Sequence, residues 1–490
     1  MRLLVLLLLV GPLVSGSAAQ PGPDDLAAAM ASHQELAGVP GVAWAVVDDD
    51  GPRAEGTLGV DGDGHAVTPH TPFLLGLLSK AFTAALVLRL AEQGRLDLDQ
   101  PVVRRLSWFR TARSELSDRI TARQLLEQTS GLDAAAGLAD ADRATQDPAD
   151  LRSQVRALSG VDLADEPGAS YRYSSANYLV LGALVEQVTG ERVGDLMRRT
   201  LLDRVGMADA VVDPASARRL PPGHRLALGR AWPYDPGYVA SGVPYGYVGA
   251  SLTDLEHAAT DLLSTDANGA WPAAVLDRVR RASAPDPARS AYRAGWRVET
   301  RDGVRYAWHS GATPGSFATL VLLPDLGLAV VLLQNGYSPA RDAQLNGAAF
   351  DLVRLALGQD PRPTGPDPVL LAAPWLLTGL GAALLVPACV VAVRRRRHTL
   401  GVRRRGRVVL IACDVVVLLA ATAVVLHAGP VEAAVLGRWA PDVFWAAVVL
   451  VAAAAASLVA CLVGVRRSRS LRKGQPAPSG AVLSRYAVHR

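Results

Sequence analysis

Residues 71–94 read "TPFLLGLLSKAFTAALVLRLAEQG", and this stretch decides how the chain folds. Apolar residues recur at helical spacing after Ser79, and Gly94 is a typical stop signal, so the stretch predicts a helix. Lys80, near its start, is one of two lysines among 50 basic residues, the other being Lys473. An amine can lose its proton where a guanidinium cannot, which makes Lys80 a candidate functional residue.

The N-terminus has the pattern of an export signal. "MRLLVLLLLVGPLVSGSAA" (1–19) combines one positive charge, an apolar run and small residues before a cleavage point after Ala19. A first membrane anchor is the alternative, but the run is short for the ~20 residues that a spanning helix needs. The sequence therefore favours export.

Three stretches near the C-terminus are apolar and comparable in length to the ~20 residues of a membrane-spanning helix. They are residues 369–393, 408–426 and 443–465. Arginine-rich segments, "RRRRHTLGVRRRGR" (394–407) and "RRSRSLRK" (466–473), flank them, and such segments stay in the cytoplasm. We therefore expect a multi-pass membrane protein with a cytoplasmic tail (466–490), whose linker (361–368) leads to an extracytoplasmic domain (20–360).

Charge and cysteine content narrow the function of that domain. Residues 1–360 contain 33 Lys+Arg and 42 Asp+Glu, a net charge of −9, which argues against nucleic acid as a partner. The three cysteines (Cys389, Cys413 and Cys461) all fall in predicted spans, so the domain folds without disulfides. No Cys/His cluster has zinc-site spacing, and we expect no metal or other cofactor. Asp414 lies in a span, where pairing with nearby arginines is a simpler interpretation than a functional role.

The outline of the domain is α+β. "GVAWAVVDDDGPRAEGTLGV" (41–60) predicts two strands around a turn. Further strands follow near the other end, in "GVRYAWHSG" (303–311), "SFATLVLLP" (316–324) and "LGLAVVLLQNG" (326–336). Helical patterns occupy the region between. We therefore expect one antiparallel sheet, formed by both ends of the domain and flanked by helices, together with a helical subdomain.

Five motifs occur in an order that resembles a known family. They are "TPFLLGLLSKAFTA" (71–84), "ITARQLLEQTSGL" (120–132), "PGASYRYSSANYLVLGALVEQVTG" (167–190), "GMADA" (206–210) and "WHSGATPGSFA" (308–318). Together they resemble the serine β-lactamase and penicillin-binding-protein superfamily, in particular its class C and esterase-like branch. The resemblance covers roughly residues 30–355.

The resemblance implies a role for several side chains. Lys80 matches the lysine of S-x-x-K, which helps to deprotonate the nucleophilic serine one helical turn earlier. Tyr173 matches the tyrosine of Y-x-N, which shares the proton transfer. His309 and Gly311 match the K-T-G or H-x-G strand that lines the opposite wall. An N–H of that strand, with the N–H of the nucleophile, forms the oxyanion hole in this family.

Two positions depart from the family pattern. The nucleophile position, three residues before Lys80, is Leu77, and the asparagine position of Y-x-N is Ser175. Leucine has no nucleophilic atom, so no acyl-enzyme can form there. Ser79 is the fallback nucleophile. Neighbouring residues on a helix point about 100° apart, so Ser79 is poorly oriented relative to Lys80 to act in place of the missing serine. Ser174 and Ser175 are weaker candidates.

These observations lead to three hypotheses. In the first, the domain is a degenerate hydrolase that binds a cell-wall peptide, a β-lactam-like or ester-like ligand, or a protein partner. In the second, it is an active esterase, D-Ala-D-Ala carboxypeptidase or β-lactamase-like enzyme that uses a displaced serine such as Ser79. In the third, the membrane helices carry the function and the outer domain anchors an assembly. The first is favoured because Leu77 replaces the nucleophile.

Overall fold

The computed structural model describes residues 22–137, 151–264, 269–280, 291–301, 303–396 and 404–473. The chain forms two compact units, Met1–Asp367 and Pro368–Arg490, and each is described here by itself. The predicted export signal (1–19) and the end of the predicted tail (474–490) lie outside the described residues.

The first unit is built on an antiparallel sheet. The strands of this unit are β1 (Gly41–Asp48), β2 (Gly51–Gly59), β3 (Phe73–Leu74), β4 (Gly223–Ala227), β5 (Arg230–Tyr234), β6 (Gly249–Ala250), β7 (Ala291–Arg293), β8 (Trp296–Arg301), β9 (Val304–Thr313), β10 (Ser316–Leu323), β11 (Leu328–Gln334) and β12 (Gly336–Tyr337). Seven of them form one sheet in the order β2-β1-β11-β10-β9-β8-β7. Two smaller sheets have the orders β12-β4-β5 and β3-β6.

Helices cover this sheet and form a separate cluster beside it. They are α1 (Pro23–Ala37), α2 (Ser79–Glu92), α3 (Ser114–Ser117), α4 (Ala122–Leu126), α5 (Leu151–Ala157), α6 (Ser175–Thr189), α7 (Val193–Met197), α8 (Asp203–Val205), α9 (Leu252–Leu263), α10 (Ala273–Arg280) and α11 (Asp342–Ala356). The expected α+β arrangement is therefore confirmed.

The sheet joins the two ends of the first unit, as the sequence predicts. β1 pairs with β11 in an antiparallel register that sets Val42 opposite Gln334 and Asp48 opposite Leu328. Every residue of β11 is buried, and so is every residue of β1 except the last. Continuous apolar runs of this kind are typical of central strands that are covered on both faces.

Helix α2 lies in the core and begins at a tight 3₁₀ turn, Gly76–Leu78. Ten consecutive residues from Ser79 to Leu88 are buried, so the helix is surrounded on all sides rather than lying on the surface. Gly76 has φ +54°, and a Cβ there would lie 2.5 Å from the amide nitrogen of Ala312 on β9. Only glycine permits this close contact between the start of the helix and the sheet.

The second unit contains α12 (Pro368–Arg396), α13 (Arg404–Trp439) and α14 (Pro441–Lys473). By length and composition, two described segments could cross a membrane, Pro368–Val390 and Pro441–Leu462. Within α13 the described apolar segment is Val408–Ala423, which is not one of these two. Of the three predicted spanning helices, two are therefore supported as candidates among the described residues.

The buried polar residue of this unit is paired with a serine. Asp414 on α13 is inaccessible to solvent, and its Oδ2 accepts a hydrogen bond of 2.8 Å from the hydroxyl of Ser457 on α14. The partner shown by the structure is thus Ser457, where the sequence favoured nearby arginines. A hydrogen-bonded pair between two apolar helices satisfies part of a carboxylate that would otherwise be costly to bury.

Candidate functional site

Lys80 is the centre of the candidate site. Its side chain is inaccessible to solvent although it ends in an amine. Nζ donates hydrogen bonds to the backbone carbonyl of Tyr245 at 2.9 Å and to the hydroxyl of Ser175 at 3.2 Å. A buried amine is tolerated only with such partners, so the position of the side chain is fixed by both contacts.

Three aromatic rings surround the same amine. Nζ of Lys80 lies 5.1 Å from the ring centroid of Tyr173, 5.8 Å from that of Tyr178 and 5.9 Å from that of Tyr245. The faces of these rings attract a positive charge at such distances. Lys80 and Tyr173, which the sequence singles out separately, therefore meet at one place through a ring contact.

The hydroxyl of Tyr173 is buried and has no hydrogen-bond partner among the described residues. The residue as a whole is half-buried, whereas its hydroxyl oxygen is inaccessible to solvent. Burial raises the pKa of Tyr173 well above its ordinary value, which keeps the phenol protonated at neutral pH. Leaving such a group unsatisfied costs about 1–3 kcal/mol, and a ligand atom beside it would recover this cost.

His309 lies on β9 and is also buried. Its Nδ1 is 2.6 Å from the carbonyl oxygen of Ser310, and its Nε2 is 3.4 Å from the hydroxyl of Tyr292. Burial, followed by the positive charge of Lys80, lowers the pKa of His309 to about 3. The imidazole is therefore neutral at neutral pH, with Nδ1 donating to the carbonyl and Nε2 available to accept.

Gly311 brings β9 against the start of α2. A Cβ on Gly311 would lie 2.2 Å from the carbonyl oxygen of Leu75 and 2.3 Å from the amide nitrogen of Leu77. No other residue fits without moving one backbone away from the other. The amides of Leu77 and Ala312 consequently belong to the same narrow seam between helix and strand.

The two candidate nucleophile positions differ in environment. Leu77 is half-buried at the start of α2, in the seam just described. Ser79 is inaccessible to solvent, and its hydroxyl oxygen accepts a hydrogen bond of 3.1 Å from the amide of Val248. The hydroxyl of Ser79 thus contacts the segment before β6 and performs a structural role there.

Tyr292 connects the two halves of the site and was missed by the sequence analysis. Its ring centroid is 6.1 Å from that of Tyr173 and 5.8 Å from that of His309. The group formed by Lys80, Tyr173 and Ser175 is thereby linked to the strand that carries His309 and Gly311. The available signal was weak, because Tyr292 lies in a short strand next to residues 281–290, which carry no motif of the family.

Gln128 positions the segment that carries Tyr173. It has φ +62°, and its Oε1 accepts hydrogen bonds from the amide of Ser174 at 2.9 Å and from the side chain of Asn177. Ser174 in turn caps α6, which begins at Ser175. The sequence placed Gln128 within a family motif but gave no reason to assign it this contact.

No residue of this site belongs to the metal-binding candidates found among the described side chains. Those are Asp61, Asp63 and His65 in one turn and Asp48, Asp49 and Asp50 in another. Both are largely exposed acidic turns. The site itself offers an amine, phenols and a neutral imidazole, which suit hydrogen bonding to a carbonyl or carboxylate better than binding a hard cation.

Comparison with known proteins identifies the family of this chain. The β-lactamase family profile matches residues 26–354. The chain is 32% identical over 317 residues to penicillin-binding protein 4 of Amycolatopsis lactamdurans, covering 61% of this chain and 81% of that protein. It is 27% identical over 318 residues to unguisins hydrolase ungD' of Aspergillus campestris, covering 61% of this chain and 58% of that protein.

A solved structure supports the fold independently. The D-alanine carboxypeptidase AmpC of Burkholderia cenocepacia superposes with a TM-score of 0.54 at 20% identity, covering 68% of this chain and 99% of that one. At this identity the likeness concerns the fold alone. The family match over most of the first unit is the stronger result, and on that basis the chain belongs to the β-lactamase family.

Proposed function

We propose that the first unit is a membrane-anchored extracytoplasmic binding module, which holds a peptidoglycan-like peptide or a β-lactam-like ligand without forming an acyl-enzyme. The observation that carries this proposal is the combination of Leu77 at the nucleophile position with a retained cluster in which Lys80 contacts Tyr173, and Tyr292 links Tyr173 to His309. The family relationship and the resemblance to a penicillin-binding protein support the choice of ligand class.

The chemistry of the site suits a carbonyl or carboxylate ligand. Tyr173 offers a buried phenol that has no partner among the described residues, and its raised pKa keeps the proton in place. The neutral imidazole of His309 adds a second polar group from the opposite wall. Nothing at Leu77 can attack the ligand, so the bound state ends at recognition. We expect a reversible complex rather than turnover.

The active-enzyme alternative depends on Ser79. Its hydroxyl would have to lose the hydrogen bond from Val248 and leave a fully buried position before it could attack a ligand in the seam. It would also have to change its place on the helix relative to Lys80. These contacts favour the binding module, and the alternative is decided by the experiment below.

The test uses residues 20–367, whose hydrophobic core lies entirely within this unit. The native unit, Leu77→Ser, Leu77→Ala and Ser79→Ala are each exposed to a fluorescent penicillin and to a fluorophosphonate, and intact mass is measured. We expect an adduct on Leu77→Ser alone. Leu77→Ala is the matched control, because it opens the same space without adding a nucleophile.

Reversible binding is measured on the same proteins by calorimetry with an N-acyl-D-Ala-D-Ala peptide. We expect the native unit to bind and Tyr173→Phe to bind several-fold more weakly, because only the hydroxyl is removed. An adduct on the native unit that disappears in Ser79→Ala would refute the binding module and identify an enzyme with a shifted nucleophile.

The proposed topology rests on the charged flanks of the apolar helices. The arginine-rich segment 394–407, which follows the first apolar helix, would lie in the cytoplasm, with the first unit exported. A phosphatase fusion after residue 360 and a second fusion after residue 407 would report the two locations. Only the first should be active, since that enzyme folds outside the cytoplasm; the reverse pattern would refute the orientation.

A further inference from the structure

Two arginines on α5 lie against one tryptophan. The guanidinium carbon of Arg152 is 5.1 Å from the ring centroid of Trp108, and that of Arg156 is 5.7 Å from the same centroid. Both arginines are exposed, whereas the tryptophan is half-buried and packs against the hydrophobic core. The face of an indole ring attracts a guanidinium group at such distances. A ring fixed by the core thus holds two positive charges at one place on the surface.

The spacing of the two arginines is unfavourable unless a counter-ion is present. Arg152 and Arg156 are four residues apart on α5, so their side chains leave the same face of the helix. Like charges at this spacing destabilise a helix. Neither guanidinium group forms an ion pair or a hydrogen bond with any residue that the structure describes. The two charges are therefore adjacent and uncompensated by the described chain.

Neighbouring arginines show that carboxylates are available on this surface. Arg113 donates to Asp162 at 2.6 Å, and Arg110 lies 3.7 Å from Asp118. Residues 1–360 contain 42 Asp+Glu against 33 Lys+Arg, so acidic side chains outnumber basic ones in this part of the chain. The two α5 arginines nevertheless have no ion pair with a described carboxylate. An anion from outside the chain is the missing partner that their charge requires.

The tryptophan between them carries a hydrogen-bond donor without an acceptor. Nε1 of Trp108 is inaccessible to solvent and has no hydrogen-bond partner in the described parts of the chain. Most buried polar groups are hydrogen-bonded, and an indole N–H can act only as a donor. The two exposed arginine side chains can change rotamer quickly to admit an acceptor beside the ring. An anion there would satisfy this N–H and both guanidinium groups together.

The charge of the site favours a phosphate group. A guanidinium group offers paired donors that match the oxygens of a phosphate or a carboxylate. A carboxylate carries one negative charge, whereas a phosphate monoester carries about −1.5 to −2 at pH 7 and has three acceptor oxygens. Two guanidinium groups and one N–H fit the phosphate better in both charge and number of donors.

From these relationships we infer that Arg152, Arg156 and the indole N–H of Trp108 form a binding site for a phosphate group. The phosphate belongs either to a free phosphate ester or to the phosphodiester headgroup of a lipid, which share this chemistry and are separated by the test. The inference goes beyond the proposed function and is independent of what the cleft binds.

The test uses the full chain in an uncharged maltoside detergent and a buffer without phosphate. Calorimetry measures the binding of glycerol 3-phosphate, a monoester, and of glycerophosphoglycerol, the diester headgroup of phosphatidylglycerol. Arg152→Gln/Arg156→Gln removes the two guanidinium groups. Arg218→Gln/Arg230→Gln is the matched control, because it removes the same charge from two exposed arginines outside α5, one before β4 and one at the start of β5.

We expect the native chain to bind at least one probe at millimolar concentration or below. The α5 double variant should bind about tenfold more weakly, because two charge-assisted hydrogen-bonding groups are lost, and the control should stay within about twofold of the native chain. A higher affinity for glycerol 3-phosphate identifies a free phosphate ester as the ligand. A higher affinity for the diester identifies a lipid headgroup.

Trp108→Phe tests the role of the N–H, since it keeps an aromatic ring and removes only the donor. We expect this variant to bind several-fold more weakly than the native chain. In the native chain labelled with ¹⁵N-tryptophan, the indole resonance that this variant lacks should shift when the probe is added. A native chain that binds neither probe would overturn the inference. Equal losses of affinity in the α5 double variant and the control would also overturn it, because they indicate attraction by net charge alone.

Discussion

Lys80 and Tyr245 are joined by a hydrogen bond of 2.9 Å from the amine to the backbone carbonyl. This bond ties helix α2 to the loop before β6, and the same loop supplies the amide of Val248 that binds Ser79. Two consecutive residues of the helix thus hold the loop before β6 in place. The contact explains a structural use for the lysine that does not depend on a nucleophile.

The first prediction concerns the stability provided by Lys80. We expect Lys80→Ala to lower the free energy of unfolding of the first unit by about 2–4 kcal/mol, because it leaves a cavity and removes the donor to Tyr245 and Ser175. Lys80→Met keeps most of the volume and should cost less, about 1–2 kcal/mol. Urea unfolding measures both. A methionine variant more stable than the native unit would contradict this prediction and show that the amine is retained at a cost to stability.

The second prediction tests the seam between helix and strand. In Gly311→Ala the new Cβ would collide with backbone atoms of Leu75 and Leu77, at 2.2 and 2.3 Å. We expect a loss of about 3 kcal/mol or more in the free energy of unfolding, the range of severe overpacking. Gly160→Ala is the control, because a Cβ there meets nothing within 4 Å and should change stability by less than about 0.5 kcal/mol.

The sequence predicted the parts of the fold that depend on local pattern and on ordered motifs. The helix after Ser79 and the pairing of both chain ends in one sheet follow from apolar periodicity and β-branched runs, and both are confirmed. Of the second predicted apolar stretch, the described part Val408–Ala423 forms an apolar segment of α13.

The contacts within the candidate site were less accessible to sequence reasoning. Lys80 donates a hydrogen bond to the backbone carbonyl of Tyr245. Every residue has such a carbonyl, so the type of residue at position 245 does not predict this contact. Tyr292 on β7 reaches His309 on β9 across the intervening strand β8, and such neighbours depend on the register of both strand pairs. Long-range pairing of this kind is set by the whole sheet.

The third prediction concerns His309 and acidic pH. Its pKa is lowered to about 3 by burial in the folded unit, against an ordinary value of 6.5. The unfolded chain therefore binds more protons between these values, and stability falls as the pH decreases from 6.5 toward 3. The glutamine of His309→Gln cannot titrate. The free energy of unfolding of this variant should therefore change less with pH than that of the native unit, by up to about 1.4 kcal/mol per pH unit over this window.

The measurement is urea unfolding of the native unit and His309→Gln at several pH values between 3.5 and 7.5. His33 and His224 also have lowered pKa values, and their contributions cancel when the two proteins are compared. A constant difference in stability across the range would show that His309 titrates normally in the folded unit.

The fourth prediction concerns Glu256 on α9, whose carboxyl group is buried and whose Oε1 has no hydrogen-bond partner in the described chain. Burial, together with the nearby carboxyl of Glu55, raises the pKa of Glu256 to about 8 from 4.5. The folded unit then binds more protons than the unfolded chain between these values, so its stability is lost as the pH rises through this window. Glu256→Gln should have nearly the same stability as the native unit at pH 4, and it should be more stable than the native unit by about 1–3 kcal/mol at pH 8.5.

Glu55→Gln removes only the repulsion between the two carboxyl groups and should have a smaller effect in the same direction. Thermal unfolding of the three proteins at both pH values distinguishes them, and a native unit that is equally stable at pH 4.5 and 8.5 relative to Glu256→Gln would contradict the raised pKa. Since Glu256 lies on a helix that packs against β1 and not at the cleft, ligand affinity should remain unchanged in this variant.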